Sequence, residues 1–132
     1  MRIVFFGSPE AAVPSLEKLI TAGHDLVLVI TQPDKPAGRG KPLTACPVKR
    51  YALEHGLSVL QPEKIRKDPA ILDALQNLRP DIQVVTAYGQ IIPGNIISLP
   101  RYRSVNVHFS LLPKYRGASP VAWSLLRGET RT

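Results

Sequence analysis

Asn106 and His108 are the residues whose types and spacing point most directly to chemistry. They stand two apart in Ser104–His108, a run that predicts a β-strand, and residues two apart on a strand face the same way. An amide beside an imidazole suits acyl transfer to an amine. The amide N–H is a neutral donor for a developing oxyanion, and an imidazole donates as imidazolium or moves a proton near neutral pH. An oxyanion donor is worth ~10²–10³ in rate, and a positioned acid or base ~10²–10⁴. Neither residue needs to be a nucleophile. Spacing alone leaves a second reading open: a capping Asn and a hydrogen-bonded His at a strand end. Leu111-Leu112-Pro113 is likewise either an apolar wall for a flat ligand or ordinary loop packing.

Other chemistries fare worse. Cys46 is the single cysteine, so the chain has no internal disulfide; it reads as a small structural residue suited to a reducing compartment. The histidines at 24, 55 and 108 are scattered, and their spacing argues for no metal site. Gly7-Ser8-Pro9 lacks the later glycines of a dinucleotide-binding turn. Gly38-Arg39-Gly40-Lys41 fails as a phosphate loop, because Lys35 stands at the first glycine and Pro42 at the magnesium-holding hydroxyl. A net charge of +7, from 17 Lys and Arg against 10 Asp and Glu, favours an anionic partner without choosing one.

The elements that must position Asn106 and His108 alternate in type. Residues 2–6 form an apolar, β-rich run ending at Gly7. Ser8 as cap, Pro9 at the first position and Glu10 in the first turn then predict a helix through about Ala22, carrying Val13, Leu16, Leu19 and Ile20. Leu26–Ile30 is a second strand. Residues 31–47 break the pattern as a proline-rich loop with Lys35, Arg39 and Lys41 against a single acid, Asp34. Pro47 opens a helix ending near Gly56, and 57–60 is a short strand. Asp68-Pro69 caps a helix with Ile71, Leu72, Leu75 and Leu78 on its apolar face. Asp81–Ala87 holds a central strand, Tyr88-Gly89 a turn, 91–99 a short helix, and Ser119-Pro120 caps a last helix through about Arg127. This order predicts an α/β fold: a Rossmann-like, open, mainly parallel sheet with helices on both faces. The 132 residues fit one domain of about 100–150 residues, without repeats or low-complexity tracts. No apolar run approaches the ~18 residues of a membrane span, and the N-terminus reads as a strand, not a signal peptide.

Asn106-Val107-His108-Phe109-Ser110-Leu111-Leu112-Pro113, followed by Arg116-Gly117, resembles the signature of formyltransferases that use 10-formyltetrahydrofolate. The resemblance implies that Asn106 and His108 are catalytic and that Ser110, Leu111, Leu112 and Pro113 contact the folate. Tyr88, Gly89, Gln90 and Ile91 resemble the loop that lines the pterin pocket. The implied reaction is attack by the acceptor's amino group on the formyl carbon. Asn106 and His108 stabilise the oxyanion, and His108 carries, or orients a water that carries, a proton to the departing folate nitrogen. No metal is implied. Phe109 departs from the family pattern, where a small residue or Pro is commoner.

The resemblance runs along the whole chain, and its details favour the branch whose acceptor is initiator tRNA charged with methionine. Phe6-Gly7-Ser8-Pro9-Glu10 is similar to that branch's opening, and Thr31–Gly40 to the inserted loop that enters the acceptor stem. Arg39 is then the principal tRNA contact, with Lys35 and Lys41 on phosphates. The resemblance places a catalytic Asp beyond Thr132 and a C-terminal β-barrel domain beyond that. On this expectation residues 1–132 are the N-terminal part of the catalytic domain, the sheet is incomplete on its C-terminal side, and the piece alone is inactive or nearly so. A monomer is expected, in a bacterial cytoplasm or organellar matrix. The competing readings are a formyltransferase acting on a nucleotide-linked amino sugar or glycinamide ribonucleotide, and a non-catalytic folate-binding fragment. A purely RNA-binding domain leaves Asn106 and His108 unexplained.

Overall fold

The computed structural model describes residues 1–36 and 42–132. The apolar run at the start forms β1 (Arg2–Gly7), with every residue after Arg2 buried. Gly7 is needed where it lies: a Cβ there would stand 2.7 Å from the Phe5 ring and 3.0 Å from the Thr86 carbonyl. A 3-10 turn (Glu10–Ala12) leads into α1 (Val13–Thr21), followed by β2 (Asp25–Ile30). Short strands β3 (Lys35–Pro36) and β4 (Leu43–Thr44) pair antiparallel within the stretch expected to be loop. Then come α2 (Pro47–Glu54), β5 (Val59–Leu60), α3 (Pro69–Leu78), β6 (Ile82–Thr86), α4 (Gly94–Ile97), β7 (Ser104–Val107) and α5 (Pro120–Leu126).

The main sheet has the order β5-β2-β1-β6-β7, and every pairing in it is parallel. The chain works outward from β1 through β2 to β5, then returns to place β6 on β1's other side. The carboxyl ends of β1 and β6 therefore flank the switch point, where open α/β sheets hold ligands. Ile3, Phe5, Val29 and Val84 pack under α1 and α2 on one face; Val4, Phe6, Leu28 and Ile30 pack under α3 and α4 on the other. Alternate residues of one strand thus feed two cores, as the pleat requires. Asp68 caps α3, accepting from the Ala70 amide at 3.1 Å, and Ile71 and Leu75 bury one helical turn apart.

Two expectations are corrected. Ser8 does not cap a helix: the 3-10 turn delays α1 to Val13, with Pro14 in its first turn, so Pro9 precedes the turn instead of opening the α-helix. The Ser8 hydroxyl is taken by two neighbouring loops instead. Ser119 adopts the left-handed region (φ 59°) and makes no side-chain cap; its carbonyl accepts the Trp123 amide at 3.2 Å. Among the described residues β7 lies at the sheet's edge, with Val105 and Val107 both exposed.

Candidate active site

The carboxyl ends of β6 and β7 form one wall of a cleft of about 490 Å³. In register, Val85 pairs with Asn106 and Thr86 with Val107, so the residues leaving β6 stand beside those leaving β7. Asn106, exposed, and His108, half-buried, both line the cleft. Ala87, Tyr88, Gly89 and Gln90 line it from β6, and Gly117 to Val121 from the start of α5. Ala87 holds a left-handed backbone (φ 47°), a conformation a Cβ disfavours and one that gathers at functional turns.

The loop after β6 is fixed from behind. Tyr88 turns its ring away into the core, edge-on to Phe6 with centroids 5.4 Å apart. Its carbonyl accepts Gln32 Nε2 at 2.9 Å and, more weakly, Ser8 Oγ at 3.4 Å, while Ser8 Oγ also accepts the Gln32 amide at 3.0 Å. Gly89 adopts φ 81°, and a Cβ there would run into Gln32 Nε2. On the far side, Gln90 Oε1 accepts the Ile65 amide at 3.0 Å and Gln90 Nε2 donates to the Pro62 carbonyl at 3.1 Å.

The loop after β7 is held by His108 and its neighbours. His108 Nδ1 lies 2.9 Å from Ser110 Oγ, and Ser110 Oγ donates to the Lys114 carbonyl at 2.8 Å. Lys114 Nζ and Tyr115 Oη both bond Glu129 Oε1 at 2.9 Å, tying this loop to the segment after α5. These two hydrogen bonds hold the Glu129 carboxyl below the usual carboxylate range, and Glu129 in turn raises the Lys114 ammonium.

The structure gathers Asn106, His108, Tyr88, Gly89 and Gln90 around one cleft. It does not bring the whole set together. Leu111, Leu112 and Pro113 line a separate hollow of about 260 Å³ with Tyr115, Glu129 and Thr132. Ile91 is largely exposed and joins Lys64, Arg66 and Lys67 around another. Lys35 is exposed at the root of the basic loop, its Nζ donating to Gln32 Oε1 at 2.9 Å. Arg39 and Lys41 lie outside the described residues. Sequence alone presents Ser8 only as a helix cap and Gln32 only as part of the Thr31–Gly40 loop, although Ser8 directly follows β1 and Gln32 stands two residues past β2 at the ligand-binding edge, positions that could have marked them. Among the described residues no cluster of three or more His, Cys, Asp or Glu is placed to hold a metal. No helix among them is long and apolar enough to cross a membrane.

A parallel α/β sheet with an amide and an imidazole at its carboxyl edge defines an open α/β protein with a candidate ligand cleft at the carboxyl ends of β6 and β7, beside the switch point. The same fold occurs in glycinamide ribonucleotide transformylase 1 from Geobacillus kaustophilus (TM-score 0.72, 20% identity, 96% of this chain and 68% of that one). It occurs also in a formyltetrahydrofolate deformylase from Pseudomonas syringae pv. tomato (TM-score 0.69, 21% identity, 96% and 42%). The sequence profile described as formyl transferase matches residues 1–132, and the chain belongs to that family. It is 52% identical, over all 132 residues, to a methionyl-tRNA formyltransferase of Caldanaerobacter subterraneus subsp. tengcongensis, and 53% identical to one of Ruminiclostridium cellulolyticum. The chain spans less than half the length of these relatives, 43% and 42%.

Proposed function

We propose that this chain carries the donor site and the oxyanion-stabilising pair of an enzyme that moves a formyl group from 10-formyltetrahydrofolate to the amino group of methionyl initiator tRNA. The observation that carries the reading is the placement of Asn106 and His108 on one cleft together with Tyr88, Gly89 and Gln90. A cleft of about 490 Å³ falls in the range that encloses a folate-sized ligand. Apolar and glycine-containing lining suits a flat ring system, and an amide and an imidazole beside it suit a developing oxyanion.

The acceptor's amino nitrogen attacks the formyl carbon and forms the new C–N bond. Asn106 donates its side-chain N–H to the oxygen that becomes negative, and His108 takes the proton the amine loses. That proton passes to the folate nitrogen as its bond to the formyl carbon breaks, leaving formylated methionyl-tRNA and tetrahydrofolate. Residues 1–132 then form the N-terminal part of the catalytic domain, with Leu111, Leu112, Pro113 and Ile91 as further donor contacts and Ser110 acting on the site through its hydrogen bond to His108. Lys35, Arg39 and Lys41 meet the acceptor stem, where phosphate contacts position the substrate.

The test is formyl transfer by the full-length protein from 10-formyltetrahydrofolate to charged initiator tRNA, with amino-sugar nucleotides and glycinamide ribonucleotide as competing acceptors. Asn106→Ala and His108→Ala should each lower kcat by about 10²-fold or more. Arg39→Ala should raise KM for the tRNA and leave the donor KM alone. Transfer to a small amine, indifferent to Arg39, would keep the chemistry and replace the acceptor. No transfer at all would leave a folate-binding module.

A further inference from the structure

We infer that Ser110 is a positioning residue that fixes the tautomer of His108, holding the proton on Nδ1 and leaving Nε2 as the nitrogen that exchanges protons in the cleft. The argument is one of proton counting. Ser110 Oγ lies 2.8 Å from the Lys114 carbonyl oxygen and 2.9 Å from His108 Nδ1. A carbonyl oxygen has no proton to give, so at that distance the serine hydrogen must point to it. A hydroxyl carries one hydrogen, so toward the imidazole Ser110 Oγ is an acceptor. The proton in the second bond therefore belongs to Nδ1. Among the described residues nothing bonds Nε2, and His108 borders the cleft.

The consequence reaches the reaction, and here the inference rests on the proposed role of His108 as proton carrier. A neutral imidazole protonated on Nδ1 presents a lone pair on Nε2, which an amine shedding a proton needs. Once Nε2 has accepted it, Nδ1 still holds its own hydrogen and Ser110 still accepts it. The ring passes between its neutral and charged forms without turning or changing partners. The Lys114 carbonyl matters as much as the serine: without it the hydroxyl would be free to reverse and donate to Nδ1, which would select the opposite tautomer. Its position is set by the turn that returns the Lys114 amide to the Leu111 carbonyl at 3.1 Å and by the Lys114–Glu129 pair.

Two readouts on the full-length protein test this. Nitrogen NMR on ¹⁵N-histidine protein, with His108→Gln identifying the signal, reports which ring nitrogen carries the proton in the neutral state without any substrate present. Expected is a protonated Nδ1 and a bare Nε2, retained in Ser110→Thr and lost to a mixture or to the opposite tautomer in Ser110→Ala. In turnover, Ser110→Ala should lower kcat about 10- to 100-fold with the donor KM within about twofold, and Ser110→Thr should restore most of kcat. A wild-type His108 protonated on Nε2 would overturn the inference. So would a Ser110→Ala variant that raises the donor KM while leaving the tautomer and kcat intact, since Ser110 would then be a plain ligand contact. If the wild type transfers no formyl group, the functional reading falls and the spectra alone decide the tautomer.

Discussion

Tyr88 stands in the loop beside the cleft yet spends its side chain on the core: it is 2% exposed, and its hydroxyl finds no partner among the described residues. Burial pushes that hydroxyl up to about 12, so the folded state holds its proton while an unfolded chain ionises near 10. The stability tied to that proton is complete below about pH 10 and is lost as pH rises toward about 12. Tyr88→Phe should leave donor binding unchanged and stabilise the fold by about 1 kcal/mol near neutrality, because it removes an unpaired buried group. Urea midpoints should show that gap widening above pH ~10; a gap that closes there would contradict the assignment. Gly89 carries the opposite expectation. Gly89→Ala forces a Cβ at φ 81° and displaces Gln32 from the Tyr88 carbonyl. A cost of about 1–2 kcal/mol is expected from the backbone alone, with a raised donor KM. In a Gln32→Ala background the clash disappears, so the two substitutions should be less than additive in urea unfolding.

At the scale of elements, the strands and the two longer helices announce themselves, whereas the joints between them do not. The β1, β2 and β6 runs are apolar because they are buried on both faces, and α3 shows its cap and its stripe in plain spacing. That Asn106 and His108 share one cleft follows from their spacing at the end of β7, which their two-residue interval made legible. The joints depend on which loop comes near which, and spacing does not carry that. Ser8 looks like a cap until Gln32 and Tyr88 arrive beside it, and the bridge that Ser110 makes between His108 and the Lys114 carbonyl is likewise absent from any spacing. The root of the basic loop is another such joint. Lys49 Nζ meets Asp34 and Gln61 at 2.6 Å each, and Gln61 Nε2 bonds both Asp34 and the Gln32 carbonyl. Hydrogen bonds from Lys49 first, then Gln61, hold the Asp34 carboxyl below its usual value. A depressed carboxylate stabilises above its unfolded pKa and loses that contribution as pH falls through the folded one. Asp34→Asn should therefore be less stable than wild type at neutral pH, and the difference should vanish on acidification below pH ~4. A difference that persists in acid would point to lost packing instead of lost charge.

Across the whole molecule, burial is uneven in a way that orders its stability. The sheet from β5 to β6, with the helices and loops packed on it, holds most of the fully buried side chains, and β1 and β6 are each paired along both edges over most of their length. Beyond β6 the pattern changes. Val105, Val107, Leu111, Leu112, Val121, Trp123, Leu125 and Leu126 are all exposed, and Ser124 is the one residue of α5 that is buried. Helices draw most of their stability from packing an apolar face, and a seven-residue helix is marginal without it. Local opening is easiest where apolar contacts are fewest. Hydrogen exchange on residues 1–132 should therefore rank α5 amides as first to exchange and β1 amides as last, with β7 between them because it is paired on the β6 side alone. Leu75→Ala, in the buried stripe of α3, should cost about 2–5 kcal/mol, whereas Leu125→Ala should fall within about 0.5 kcal/mol. The candidate site straddles the two regions. Tyr88 to Gln90 leave a protected strand and Asn106 to Ser110 an edge one, so opening of the second wall should be detected at conditions where the first is still closed. Equal protection of β7 and β1 amides would show that the edge is covered after all, and would move the His108 loop into the rigid part of the molecule.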